Sequence, residues 1–147
     1  MPIRGIRGAV PVKTNSKAAI HAATRTLLLR LLAANRVPVE EIAGVVLTAT
    51  PDLNADFPAY AARGLGWSGV PLLCAQEIDV PGAMPRLVRA LLLVNTTRAQ
   101  REMTHVYIGK AASLQRVLQC VRALFHGHKS GYHQDGRKRR GCGKRGK

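Results

Sequence analysis

Hydrophobic side chains along residues 1–114 fall into short runs broken by Pro, Gly and Asn, and the spacing within each run assigns it a conformation. Residues 1–12 (MPIRGIRGAVPV) carry β-branched side chains, two Arg-Gly pairs and a proline near the end, the pattern of an edge or terminal strand. Arg4 and Arg7 are three positions apart, so on a strand they project to opposite faces. Thr14, Asn15 and Ser16 then offer N-caps for a helix over residues 17–34, with Ile20, Ala23, Leu27, Leu28 and Leu31 along its apolar stripe. Asn35 is expected as a left-handed C-cap, and Pro38 blocks continuation.

Residues 44–50 (GVVLTAT) read as a buried strand, broken by Pro51 and the polar positions after it. Pro58 sits where the first turn of a helix tolerates proline, which predicts a short helix up to about Leu65. Residues 70–80 (VPLLCAQEIDV) form the third strand candidate, with a charged C-terminal half that should emerge at a rim. The spacing of Leu87, Ala90, Leu91 and Val94 predicts a helix over residues 84–94, and residues 105–109 (HVYIG) a fourth strand. The resulting order, β-α-β-α-β-α-β without internal repeats, predicts an α/β domain, a sheet with helices packed on it.

Composition narrows the class further. The 147 residues are 46% hydrophobic but only 4% aromatic, so the core must be aliphatic. No apolar run approaches the roughly 20 residues that span a bilayer, and the N-terminus lacks the pattern of a secretory signal. A cytoplasmic protein that does not engage a membrane is expected. Cys74, Cys120 and Cys142 are odd in number and irregularly spaced, which predicts free thiols in a reducing compartment.

A net charge of +15 raises the question of nucleic acid, yet it is unevenly placed. Residues 117–147 hold nine Lys/Arg against one acid, a net of +8, leaving +7 for residues 1–116. Residues 126–147 are rich in Gly, Lys, Arg and His, with too little apolar surface to offset the entropy of ordering. The sequence therefore divides into a domain over residues 1–116 and a basic, disordered extension over 117–147. Cys120, His126, His128, His133 and Cys142 fit no common zinc spacing, so no metal site is assigned.

Five blocks in order, RGIRGA (residues 4–9), TATPDL (48–53), FPAYAAR (57–63), VPLLCAQEIDVPG (70–82) and HVYIGKA (105–111), resemble the AroH class of chorismate mutase. The resemblance covers nearly all of residues 1–114. It implies an α/β subunit with a mixed sheet, assembled as a homotrimeric pseudo-barrel with an active site in each intersubunit cleft. It also implies the rearrangement of chorismate to prephenate in aromatic amino acid biosynthesis, a pericyclic reaction that needs no cofactor, proton transfer or covalent intermediate. The lack of a Ser-His-Asp arrangement, metal-ligand set or Gly-rich phosphate loop in residues 1–114 is in keeping with that chemistry.

The substrate is a flexible dicarboxylate, for which arginine is well suited: it stays ionised and grips carboxylates with a planar fork. On the predicted helix, Arg89 and Arg86 alone would read as solvated surface cations. By resemblance, Arg89 instead takes the central position, directed at the ether oxygen and a neighbouring carboxylate. Glu77 matches the carboxylate that accepts the ring hydroxyl, Arg7 a carboxylate-binding arginine, and Tyr107 a phenol that hydrogen-bonds the substrate. Cys74 lies where the family has a cysteine near that hydroxyl, a position that also suits a small core residue.

The resemblance further matches Phe57, Ala59 and Arg63 to a stretch contributed by the adjacent subunit, with Phe57 as an apolar wall and Arg63 as a lesser cation; Leu73 and Leu114 complete the lining. Two departures stand out. Tyr60 replaces a charged residue of some relatives, and where the family often has a closing arginine after its leucine, this chain has Gln115 and then Arg116. A one-residue shift would let Arg116 take that place. The alternative from another class is a nucleic-acid-binding protein acting through the basic extension, which nonspecific polyanion binding would accompany.

Overall fold

Alternation of apolar residues in the strands and a helical apolar stripe in α1 generate two layers. In the computed structural model, which describes residues 1–116, the elements are β1 (Ile3–Pro11), α1 (Lys17–Asn35), β2 (Ile42–Ala49), α2 (Ala59–Gly64), β3 (Leu72–Gln76), β4 (Leu87–Asn95) and β5 (Val106–Tyr107). Residues 112–116 are helical. The extension expected over 117–147, with Cys120, Cys142 and its histidines, lies outside the described residues.

The strands form one mixed sheet in the order β3-β2-β4-β1-β5. β4 runs antiparallel to both β1 and β2, while β3 is parallel to β2 and β5 parallel to β1. Both helices pack on one face of this α+β arrangement. Ile6 and Val10 of β1, Val45 and Leu47 of β2, and Val88, Leu92 and Val94 of β4 meet Ile20, Leu27, Leu28 and Leu31 of α1 there. Trp67, Leu53 and Ala62 extend the same core under α2.

α1 begins where Ser16 Oγ accepts the Ala19 N–H at 3.2 Å. Its approach to the sheet requires Gly8, because a Cβ there would stand 2.8 Å from Leu27 Cδ1 and from the Val106 carbonyl. The left-handed C-cap is Arg36 (φ 51°) rather than Asn35. Asn35 is instead buried inside the last turn: its Nδ2 donates to the Leu31 and Thr104 carbonyls, and its Oδ1 accepts Thr104 N–H. Satisfying those buried groups outweighs the preference of Asn for the left-handed cap.

Two expected elements differ. Residues 84–94 were expected as a helix, yet Leu87–Asn95 is a central strand with neighbours on both sides. A nearly continuous apolar run satisfies helical spacing and strand alternation equally, and here pairing with β1 and β2 decides. β1 is not an edge strand, since β5 adds beside it through Gly8 and Ala9. Among the described residues, no helix is long and apolar enough to cross a membrane.

Candidate active site

Because successive strand residues alternate, the face away from the helices receives Arg7 and Ala9 from β1, Val46 and Thr48 from β2, Leu73 from β3, Leu87, Arg89, Leu91 and Leu93 from β4 and Tyr107 from β5. Ala9 pairs with both Arg89 and Tyr107, while Arg7 pairs with Leu91, so Arg7 and Arg89 are diagonal neighbours on adjacent strands. Arg7, Thr48, Arg89, Tyr107 and Leu114 line a cavity of about 480 Å³ over a floor that includes Val46 and Leu91. A small cluster of Ala9, Leu87 and Ala111, flanked by Met84, Tyr107 and Leu114, closes one end.

Glu77, just past β3, is drawn to this face by its backbone N–H, which donates to the Ala49 carbonyl at 2.9 Å. Its Oε1 lies 3.0 Å from Arg89 Nε and accepts the Thr48 hydroxyl at 2.7 Å. Arg89 is thus oriented through Nε, and among the described residues neither of its Nη atoms has an acceptor. The Arg7 guanidinium and Tyr107 hydroxyl are likewise without a protein partner among the described residues. Two arginines and one carboxylate leave a net positive charge in a partly apolar cavity, an arrangement suited to an anion with a hydrophobic body.

The remaining expected residues gather elsewhere. Cys74 and Phe57 line a second cavity of about 390 Å³ with Leu53, Pro58 and the 54–56 segment. Cys74 pairs with Leu47, so its side chain lies on the helix-covered face, opposite Arg89. Burial pushes its thiol above the usual range, while a bond from the Ala59 backbone acts in the other direction. Phe57 is 61% exposed and meets Tyr60 edge-on at 6.0 Å. Arg63 is used structurally: its Nη1 donates to the Trp67 and Ser68 carbonyls at 2.7 and 2.9 Å, where it holds the turn after α2. Leu73 is exposed beside Val46 on the open face. Arg116 is exposed at the end of the described residues.

The family profile "Chorismate mutase type I" matches residues 3–118. The chain belongs to the type I chorismate mutase family. It is 48% identical over 118 residues to chorismate mutase AroH of Thermus thermophilus, covering 80% of this chain and 97% of that protein. It is 40% identical to chorismate mutase AroH of Bacillus subtilis over 116 residues, 78% of this chain and 91% of the other. Among solved structures, a chorismate mutase from Clostridium thermocellum superposes with a TM-score of 0.73 at 38% identity, covering 74% of this chain and 97% of that one. None of these likenesses supports the nucleic-acid-binding alternative.

For a type I chorismate mutase chain, the expected residues divide into two patches. Arg7, Glu77, Arg89, Tyr107 and Leu114 come together on the open sheet face; Phe57, Ala59 and Cys74 lie together on the other side of the sheet. One chain does not join them. Sequence reasoning missed Thr48, which holds the carboxylate that orients Arg89. Its signal was available, since in GVVLTAT the residue after a core-facing Leu47 must face the opposite side. Another cleft, of about 630 Å³, opens beyond Asn95 and contains none of the expected residues. Arg98 at its wall is already committed to the Asn35 and Glu102 carbonyls.

Proposed function

We propose that this chain is the subunit of an enzyme that isomerises chorismate to prephenate, in the biosynthesis of aromatic amino acids. The family match across residues 3–118 carries the reading. The reaction breaks an ether C–O bond as a C–C bond forms, so the protein's task is to hold a compact conformer and stabilise charge growing on the ether oxygen. Arg89, steered by Glu77 and Thr48, offers its Nη groups to that oxygen and to an adjacent carboxylate. Arg7 binds a carboxylate, Tyr107 donates a hydrogen bond, and Glu77 Oε2 accepts the ring hydroxyl. Leu73 and Leu114 supply apolar lining.

The active assembly is a homotrimer in which Phe57, Ala59, Arg63 and Cys74 of one subunit complete the cleft of the next. The separation of the two patches within one chain supports this, as does the apolar surface of Val46, Leu73, Leu91 and Leu93 left bare by the helices. Residues 1–116 form the catalytic unit, with Arg116 as the cation that closes over the substrate and the basic extension dispensable. The free thiol of Cys74 suits a reducing, cytoplasmic setting.

Loss of chorismate absorbance with purified protein, followed by acid conversion of the product to phenylpyruvate, tests the activity; light scattering on the same sample tests the assembly. The expected result is turnover by a particle of three chains. A folded trimer that leaves chorismate unchanged would overturn the proposal.

A further inference from the structure

The segment that carries Phe57 is gripped from outside the sheet by α1 and the residues just before it. Asn15 Oδ1 accepts the backbone N–H groups of Asn54 and Ala55 at 3.1 and 3.0 Å, and its Nδ2 donates to Asn54 Oδ1 at 2.7 Å. Asp56 continues the grip. Its Oδ1 accepts the Phe57 N–H at 2.8 Å, and its Oδ2 faces His21 Nε2 at 3.1 Å and Lys17 Nζ at 3.5 Å. The Lys17 side chain is 73% exposed and contributes little, whereas those of Asp56 and His21 are only 13% and 26% exposed.

His21 Nε2 is buried, and it meets the carboxylate off the line that a hydrogen bond prefers. The imidazole and the carboxylate are held in close approach without an aligned hydrogen bond. The same imidazole meets Tyr60 edge-on at 6.2 Å, and Tyr60 in turn meets Phe57 edge-on at 6.0 Å. Tyr60 supplies the ring that links the histidine to the exposed phenylalanine.

We infer that His21 is a positioning residue for the substrate cleft: through Asp56 to the Phe57 amide, and through Tyr60 to the Phe57 ring, it fixes the aromatic wall that one subunit presents to its neighbour's substrate. This rests on the reading of Phe57 as that wall. An exposed ring held by a single aromatic contact would otherwise sample several rotamers, and substrate binding would bear the cost of ordering it. A wall touches ground state and transition state alike, so its order governs KM more than kcat.

The test uses the full chain and compares His21→Ala with His21→Gln, whose side-chain amide places a polar group near the position of Nε2. His21→Ala should raise KM for chorismate about fivefold, roughly the cost of ordering one side chain on binding, with kcat within about twofold. Hydrogen exchange of the Phe57 amide should quicken in parallel, and His21→Gln should recover most of both. An unchanged KM and unchanged exchange in His21→Ala would overturn the inference, as would a loss confined to kcat, which is what a smaller folded fraction produces. Should His21→Ala fail to fold, Asp56→Asn keeps an acceptor for Phe57 while removing the charge that faces His21. A raised KM there supports the inference and an unmoved KM overturns it. Failure of the functional reading is separable, because it appears as wild-type protein that is folded but inactive, and the positioning role falls with it.

Discussion

On β4, Val88, Ala90, Leu92 and Val94 face the helices, while Leu87, Arg89, Leu91 and Leu93 face away. The same strand thus supplies a sealed aliphatic layer and, one residue out of phase, a layer that mixes leucines with the cation proposed to act on the substrate. The covered face holds Leu27, Leu28 and Leu31 with no exposure at all. The open face leaves Leu73 61% exposed and the Arg7 guanidinium, the Tyr107 hydroxyl and the Nη groups of Arg89 without protein partners among the described residues. One face stabilises the subunit; the other is the face to which the proposed function assigns substrate and neighbouring subunits. Substitutions on the two faces should therefore fail in different ways.

The largest effect is expected on the open face. Arg89→Ala should reduce kcat at least about a hundredfold, the roughly 2.7–4 kcal/mol lost with one preorganised charge donor, without lowering the melting temperature. Lysine should restore only part of this, since it keeps the charge but loses the planar fork. Citrulline introduced at position 89 by semisynthesis keeps the shape without the cation. Turnover equal to that of arginine, in a protein of unchanged stability, would remove electrostatic stabilisation from the mechanism.

The converse is expected on the covered face. Leu31 is fully buried against the backbone at Gly8, and Leu31→Ala should cost about 2–5 kcal/mol in urea unfolding. The kcat of the protein that remains folded should match wild type. A large fall in kcat per folded molecule would show that the two faces are coupled more tightly than their separation suggests.

The smallest effect concerns the rim between the faces. The Phe57 N–H, followed by Lys17 and His21, holds the Asp56 carboxyl below its ordinary value of 3.8, with partial burial acting in the other direction. A carboxylate depressed in the folded state contributes stability above the unfolded value and loses it as pH falls through the folded value. Thermal stability followed from pH 5 downward should therefore decline less steeply in Asp56→Asn than in wild type. Parallel acid limbs would show that Asp56 is not held this way.

Local signals in the sequence were enough for α1, with its Ser16 cap and leucine stripe, and for β2. They also placed Arg4 and Arg7 on opposite faces: Arg4 Nε donates to the Arg98 carbonyl, whereas Arg7 lines the cavity. These features depend on spacing and capping within a few residues, which a single chain displays openly. The ordered blocks likewise disclosed the family. What spacing did not supply was β4, because LVRALLLVN fits either period and only its two sheet neighbours select the strand. The placement of Arg89 follows from that selection, as does its pairing with Glu77 twelve positions earlier and with Thr48 on another strand.

Asn35 shows the same limit in a different form. Its residue type suggested a left-handed cap, but the Leu31 carbonyl and the backbone N–H and carbonyl of Thr104 claimed its buried side chain first. Arg63 Nη1 likewise holds the Trp67 and Ser68 carbonyls, a local task that its residue type did not announce. The sequence by itself determined the elements with one clear period, the division of charge along the chain and the family. Tertiary structure decided which face each strand residue occupies and which polar groups meet, because those depend on register between strands distant in sequence and on the satisfaction of buried donors and acceptors.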